Sequence, residues 1–319
     1  LFSIGENSLI PLIPASAQQM GADLGLAGLI AGLVMTGTLV ADLPAGKLVD
    51  RIGERTSMII SAAAASFGIL LSVFAANLWM LASGILILGA ASAVFALARH
   101  SFMTEHIPLS HRARSVSILG GMFRGGSFFG PLLGGWVAHT WGAGAVYWVA
   151  VVVCAAAAIV LLISRADAIL DTPTTPPGRT LEIAKREYKK LVTVGVGVSI
   201  IGVLRTTRQI GLPLWAIAIH IPPAEAAIYI GLANGIDFAL FYASGWIMDR
   251  FGRRWAAVPT IVGLSFTHLL VAFALNSPAF LGIALMMALT NGLGSGVILV
   301  LGSDLAPADA RNEFLASYR

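Results

Sequence analysis

Residues 46–55 read GKLVDRIGER, and five of these ten residues are charged. In the whole chain only 11% of residues are charged and 57% are hydrophobic, whereas a soluble globular domain averages about 25% charged and 45–50% apolar residues. Long apolar runs lie on both sides of this stretch. The pattern returns as GWIMDRFGRR at 245–254, with glycine, Asp-Arg, glycine and arginine at the same spacing. Both stretches predict polar turns between membrane-spanning helices.

Apolar runs of membrane-spanning length recur along the chain, whose mean hydropathy is +0.85. About 20 mainly apolar residues are needed to cross roughly 30 Å of hydrocarbon. Segment 1–16 is apolar but shorter, and another span is expected to start near 309, so we expect the sequence to be truncated at both ends. The pattern predicts an all-α polytopic membrane protein. The predicted full-length spans are 26–48, 56–76, 79–101, 114–138, 143–164, 191–219, 224–247, 256–276 and 279–302.

Basic residues occupy alternate turns between the predicted spans. Seventeen of the twenty Lys and Arg residues, Arg99 among them, fall in those turns, and the intervening turns contain none. Since Lys and Arg mark the cytoplasmic side, the basic turns and the N-terminus are predicted to be cytoplasmic. The formal charge of +4 is explained in this way and requires no nucleic-acid partner. We expect a multi-pass protein of the cell membrane, and the Ala- and Gly-rich composition favours a bacterial inner membrane.

Identical residues recur at one constant separation of 199 positions. The pairs are Pro14 and Pro213, Gly46 and Gly245, Asp50 and Asp249, Pro108 and Pro307, and Arg112 and Arg311. This constancy predicts two tandem copies of one multi-helix unit. We predict an N-terminal transmembrane bundle at 1–164 (spans 1–6, with span 1 incomplete) and a cytoplasmic linker at 165–190. A C-terminal bundle at 191–319 would hold spans 7–10 and the start of span 11, and so lack its last two helices.

The charged turns and one further stretch resemble motifs of the major facilitator superfamily. The turn G-x-x-x-D-R-x-G-x-R resembles the signature between spans 2 and 3, and 8 and 9, of that superfamily, although Glu54 stands where the family often has a base. GGSFFGPLLGG at 125–135 resembles the G-x-x-x-G-P-x-x-G-G motif of its antiporters, and 99–115 resembles its loop between spans 4 and 5. The resemblance implies two pseudo-symmetric six-helix bundles that work by alternating access.

The two charged turns are candidate conformational latches. A carboxylate at a helix end can accept hydrogen bonds from the exposed N–H groups at the start of a neighbouring helix, which carries a partial positive charge. The resemblance implies that Asp50 acts in this way against a helix that begins near 309. Alternatively, the turns only set topology through their positive charge. The candidate latch residues are Gly46, Asp50, Arg51, Gly53, Arg55, Gly245, Asp249, Arg250, Gly252 and Arg253.

The span-5 motif places glycines on one helix face. Gly126, Gly130 and Gly134 recur every four residues, and small residues on a shared face let membrane helices pack closely. Pro131 removes one helix hydrogen bond, and Gly135 completes the motif. Two interpretations stay open: a plain packing groove, or a role specific to antiport that the resemblance implies.

Six charged residues fall inside the predicted spans. Each costs about 2.5–3.5 kcal/mol near the bilayer centre, so together they approach about 15–20 kcal/mol, more than the typical net stability of a fold. They must pair with one another or line a wet cavity. One interpretation is structural ion pairs; the other is a substrate and proton pathway in which the acids carry protons and the arginines are their partners or contact an anionic substrate. The six residues are Glu6, Asp42, Arg124, Arg205, Arg208 and Asp237.

These features predict a secondary active transporter that moves a small organic molecule by alternating access, with proton-coupled efflux (antiport) as the leading interpretation. A proton-coupled transporter of an anionic metabolite is the alternative. A membrane-embedded enzyme is disfavoured because neither H-E-x-x-H nor G-x-S-x-G occurs. The single cysteine, Cys154, is expected to be a small core residue, and no metal or cofactor is predicted. The expected partners are the substrate, protons and the bilayer, with no nucleic acid, and the protein is expected to be monomeric.

Overall fold

A computed structural model of the protein describes residues 1–105, 109–164 and 186–305, and nearly all of these lie in helices. The helices are α1 (Phe2–Leu9), α2 (Ile13–Gln19), α3 (Leu24–Ile52), α4 (Glu54–Val73), α5 (Leu78–Glu105), α6 (Leu109–Trp141), α7 (Ala143–Ile163), α8 (Tyr188–Ala218), α9 (Pro223–Phe251), α10 (Arg254–Val271), α11 (Ser277–Leu293) and α12 (Val297–Leu305). Every span predicted from the sequence coincides with one or two of these helices. Seven of them are long and apolar enough to cross a membrane.

The internal repeat extends to the ends of the helices. Helix α3 runs from residue 24 to 52 and α9 from 223 to 251, so both ends are displaced by 199 positions. The backbone repeats as well: Gly53 has φ of 80° and Gly252 of 93°, while Gly21 and His220, also 199 apart, have φ of 91° and 63°. The duplication inferred from the sequence is therefore visible in the position of turns and helix ends.

The two copies differ where glycine or proline interrupts a helix. Helix α5 is continuous from 78 to 105, but its counterpart is divided into α11 and α12 by residues 294–296, so the single span predicted at 279–302 is wrong in this detail. The sequence Gly-Ser-Gly at these positions explains the break, since glycine and serine are weak helix formers. Span 1 is divided by a 3-10 turn at Ile10–Leu12, beside Pro11 and Pro14.

The described residues pack into two compact units. The first unit comprises 1–164 with 209–234, and the second comprises 186–208 with 235–305. Leu9, Leu12 and Leu88 belong to the main core of the first unit, as does Cys154, which is fully buried as predicted. The core of the second unit includes Ile201. The bundle boundaries given above remain a prediction, and most of the linker at 165–190 lies outside the described residues.

Candidate functional site

A chain of hydrogen bonds joins three helices of the second unit. Arg208 on α8 donates from Nη1 to Oδ2 of Asp237 on α9 at 2.6 Å. The other carboxylate oxygen, Oδ1, accepts from Nδ2 of Asn291 on α11 at 3.0 Å. Arg208 and Asp237 are each only 7% exposed, and Asn291 is 8% exposed. Both oxygens of a buried carboxylate are therefore satisfied, one by a charged donor and one by a neutral donor.

Arg205 extends this chain to the break between α11 and α12. Its Nε donates to Oδ1 of Asn291 at 2.7 Å, and its Nη2 donates to the carbonyl of Gly294 at 2.9 Å. Gly294 directly follows α11, and its carbonyl accepts hydrogen bonds both from this guanidinium and from the backbone N–H of Val297 at 3.1 Å. We call Arg205, Arg208, Asp237, Asn291 and Gly294 the second-unit polar chain.

The polar chain has a simple origin in the sequence. Arg205 and Arg208 are three residues apart on α8, so they share a helix face. Removing one partner from a buried ion pair usually costs about 3–5 kcal/mol, because the remaining charge loses its partner in a poorly solvated place. Three of the six predicted charges thus come together here. Asn291 was missed, because a single asparagine in an apolar span carries no charge to draw attention to it.

A second polar cluster lies in the first unit. Glu6 on α1 is half-buried and lies near Ser92 and Arg99 on α5. The Oγ of Ser92 and the Nε of Arg99 have no hydrogen-bond partner in the part of the chain that the structure describes. Arg99 also lies 5.8 Å from the ring centroid of Phe123.

Arg99 corrects one sequence prediction. It was counted among the residues of a basic turn although the predicted span 79–101 includes it, and the structure places it inside α5, which continues to Glu105. The repeat offers the signal that could have found this cluster. Glu6 and Arg205 are 199 apart, and so are Ser92 and Asn291, so each copy sets a charged residue against a polar one at equivalent positions.

The remaining two predicted intramembrane charges also lie in the first unit. Asp42 is on α3 with an exposed side chain, and Arg124 is on α6 and half-buried. Their assignment to a substrate or proton pathway stays a prediction.

The first charged turn is tied to the end of α7. Arg55 donates from Nε and Nη2 to the carbonyl of Leu161 at 3.1 and 3.0 Å, and from Nη2 to that of Leu162 at 3.0 Å. A cation at a helix C-terminus is favoured by the helix dipole. Asp50 and Arg51 are exposed, and the helix near 309 that the latch prediction requires lies outside the described residues.

The second charged turn is tied to α12. Arg253 donates from Nε to Oδ2 of Asp304 at 2.8 Å and from Nη1 to the carbonyl of Met248 at 2.8 Å. The hydrogen bond with Asp304 raises the pKa of the Arg253 guanidinium, and Asp249, whose Oδ1 is 3.7 Å from Nη1, acts in the same direction. Arg250 lies over the Trp246 ring at 5.5 Å.

Two glycines of these turns are not required by close packing. A Cβ added at Gly46 or Gly245 would meet no described atom within 4 Å. The glycines that the turns require are instead Gly53 and Gly252, whose positive φ is unfavourable for other residues.

The span-5 motif packs its glycine face against α1. A Cβ at Gly130 would lie 2.8 Å from Cβ of Asn7, and one at Gly134 would collide with the carbonyl of Ser8. Gly126 meets Ser3 in the same way. Gly135 points elsewhere, towards the carbonyl of Ala224 on α9 at 2.8 Å. The motif is therefore a packing surface, and any further role in antiport stays a prediction.

Long apolar helices, an internal duplication and charged groups shared between helices define a polytopic membrane protein of the transporter type. A family model described as "Major Facilitator Superfamily" matches residues 1–319. The chain therefore belongs to the Major Facilitator Superfamily, and the predicted family is confirmed. Family and fold are those of transporters rather than enzymes, and the family carries small-molecule substrates, often with protons.

The chain is similar to a tetracycline resistance protein over part of its length. It is 31% identical over 138 residues to the tetracycline resistance protein, class H, of Pasteurella multocida, which covers 42% of this chain and 34% of that protein. The match thus spans about a third of the length of that relative.

Two solved structures show the same fold. A crystal structure of a D-xylose–proton symporter matches 99% of this chain and 83% of its own, with 16% identity and a TM-score of 0.72. A bacterial homologue of the human lysosomal transporter Spinster, inward-facing and unoccupied, matches 99% of this chain and 76% of its own, with 12% identity and a TM-score of 0.76. The expected all-α fold of the superfamily is therefore confirmed.

Proposed function

We propose that the protein exports a small organic molecule in exchange for protons by alternating access. The similarity to a tetracycline resistance protein supports efflux. The observation that carries proton coupling is the buried Asp237, whose two oxygens are held by Arg208 and Asn291 from different helices. A carboxylate in such a place links the protonation of one atom to the packing of three helices.

The physical consequence of protonating Asp237 follows from this geometry. A neutral Asp237 no longer offers negative charge to Arg208, and the free energy that held the pair together is lost. The contacts that hold α8, α9 and α11 in this arrangement are then weaker. Protonation therefore shifts the equilibrium between two conformations. Glu6, whose equivalent in the second copy is Arg205, is proposed as a second proton carrier.

Transport of an anionic metabolite is the second candidate. It is favoured by the number of arginines inside helices: Arg99 on α5, Arg124 on α6, and Arg205 and Arg208 on α8. Guanidinium groups bind carboxylates and phosphates with two parallel hydrogen bonds, so a substrate anion could replace a protein acceptor at one of them.

Several further features belong to this proposal. The protein would act as a monomer in a bacterial inner membrane, with its N-terminus and the linker at 165–190 in the cytoplasm. The two charged turns would act as latches on that side, and the glycine face of α6 would support the movement of α1.

The proposal is tested by transport into proteoliposomes under an imposed pH gradient. For antiport, an acidic lumen should drive accumulation of substrate, because each proton that leaves is exchanged for a substrate molecule. For coupled entry of an anion, an acidic exterior should drive accumulation instead. Tetracycline and a panel of small organic anions are the probes. If every probe equilibrates across the membrane regardless of the pH gradient, both proposed functions are wrong.

A further inference from the structure

Pro131 leaves one carbonyl of α6 without its helix partner. The helix runs without interruption from Leu109 to Trp141, and proline has no N–H to donate to the residue four positions earlier. That residue is Ser127. In a bilayer such a carbonyl cannot turn to water, and prolines are tolerated in membrane helices where a neighbouring helix supplies the missing donor.

Asn234 on α9 supplies a donor at this position. Its Nδ2 donates to the carbonyl of Ser127 at 2.9 Å, and both residues belong to the first unit. The hydrogen bond crosses between helices whose residues are 107 positions apart in the sequence. The acceptor is the carbonyl that lacks a helix hydrogen bond because residue 131 is proline. The amide of Asn234 therefore replaces the donor that Pro131 cannot supply.

The surrounding contacts hold α6 and α9 at a fixed distance. A Cβ at Gly231 would lie 3.0 Å from the backbone N of Leu132, and a Cβ at Gly135 would lie 2.8 Å from the carbonyl of Ala224. The span-5 motif therefore has two working faces. The first packs on α1, as described above, and the second packs on α9 around the bond from Asn234.

We propose that Asn234 is a positioning residue: its amide replaces the hydrogen bond that Pro131 removes and thereby fixes α9 on the span-5 motif. Asp237, the proposed proton carrier, follows Asn234 by three residues on the same helix. The effect on transport rests on the proposed function, whereas the hydrogen bond itself does not.

A double-mutant cycle tests the bond without any substrate. Asn234→Ala should raise the unfolding equilibrium constant, whereas in a Pro131→Ala background the same change should matter less, because the N–H that alanine brings to position 131 gives the Ser127 carbonyl a helix partner. We expect a coupling of roughly three- to fifteenfold between the two changes, the range found for hydrogen bonds between membrane helices. The cycle isolates this bond from other contacts of Asn234. The matched control is Ser127→Ala, which alters the side chain but keeps the acceptor carbonyl.

The turnover number of the variants then distinguishes a positioning role of Asn234 from a role in stability alone. At a temperature well below unfolding, Asn234→Ala should lower the turnover number by roughly threefold or more with little change in KM, and Asn234→Gln, which keeps the amide, should recover part of it. If the effects of the two substitutions on the unfolding equilibrium are additive, the proposed compensation of Pro131 by Asn234 is wrong. Coupled stabilities with wild-type turnover in Asn234→Ala would overturn the positioning role. Absence of transport by the unaltered protein would refute the proposed function and leave the stability cycle to decide the bond.

Discussion

Single glycines fix the two charged turns, and they do so by backbone conformation rather than by side-chain space. Gly252 has φ of 93° between α9 and α10, as Gly53 has φ of 80° between α3 and α4. Seven residues earlier than Gly252, Gly245 lies within α9 with no described atom near the place of a Cβ. The two glycines of one motif therefore differ in what they require, although the sequence presents them alike.

Alanine substitutions at the two glycines of the second turn should therefore change the stability in opposite directions. Gly252→Ala should lower stability by about 1–2 kcal/mol, because an L-residue is strained at positive φ. Gly245→Ala should raise stability by about 0.5–1 kcal/mol, because alanine favours the helix. Thermal unfolding of the purified protein in detergent measures both. A loss of stability in Gly245→Ala as large as in Gly252→Ala would contradict the assignment.

Three side chains show the limit of sequence reasoning at this scale. The charges of Arg205, Arg208 and Asp237 could be predicted as site residues because a charge in an apolar run is costly. Asn234, Asn291 and the nearness of Arg99 to Glu6 could not, because their partners lie on helices far away in the chain. The donor that a carbonyl finds, or the end of a helix beyond its apolar run, is decided by tertiary packing.

Helix α6 packs against two other helices of the first unit through different faces. One face meets the backbone of α1 through three glycines, and the neighbouring face meets α9 through Gly135 and the carbonyl of Ser127. The spacing of four residues between the glycines predicted a shared face, and the structure shows that this face packs on α1. The break between α11 and α12 shows the opposite case, since hydropathy alone predicted one continuous span.

Packing on α1 should distinguish two glycines of the same helix. Gly134→Ala places a methyl group on the carbonyl of Ser8, which is main chain and cannot turn aside, so we expect a loss of about 1–3 kcal/mol and reduced transport. Gly125→Ala is the matched control, because a Cβ there meets no described atom within 4 Å. Thermal unfolding and transport by both variants provide the comparison. Equal effects would show that the glycine face does not determine packing.

For the whole molecule, the sequence predicted the superfamily, the all-α fold and the duplication. The all-α fold follows from hydropathy and the duplication from a constant separation of 199 residues, whereas the superfamily was predicted from the resemblance of the charged turns and of the span-5 motif to its motifs. The equivalence of Glu6 and Arg205 can be read from the sequence, but the partners of these two residues could not be predicted. In one copy Glu6 faces Ser92 and Arg99, and in the other Arg205 bonds to Asn291, so equivalent positions carry opposite charges.

Replacement of Asp237 tests the proposed proton-coupled transport most directly. In proteoliposomes, Asp237→Asn should abolish accumulation driven by a pH gradient while substrate-for-substrate exchange continues, because the amide keeps the shape of the side chain but cannot carry a proton. Asp237→Glu, which retains the carboxyl group, should preserve some coupled accumulation and thereby control for folding. Accumulation at the wild-type level in Asp237→Asn would contradict the account.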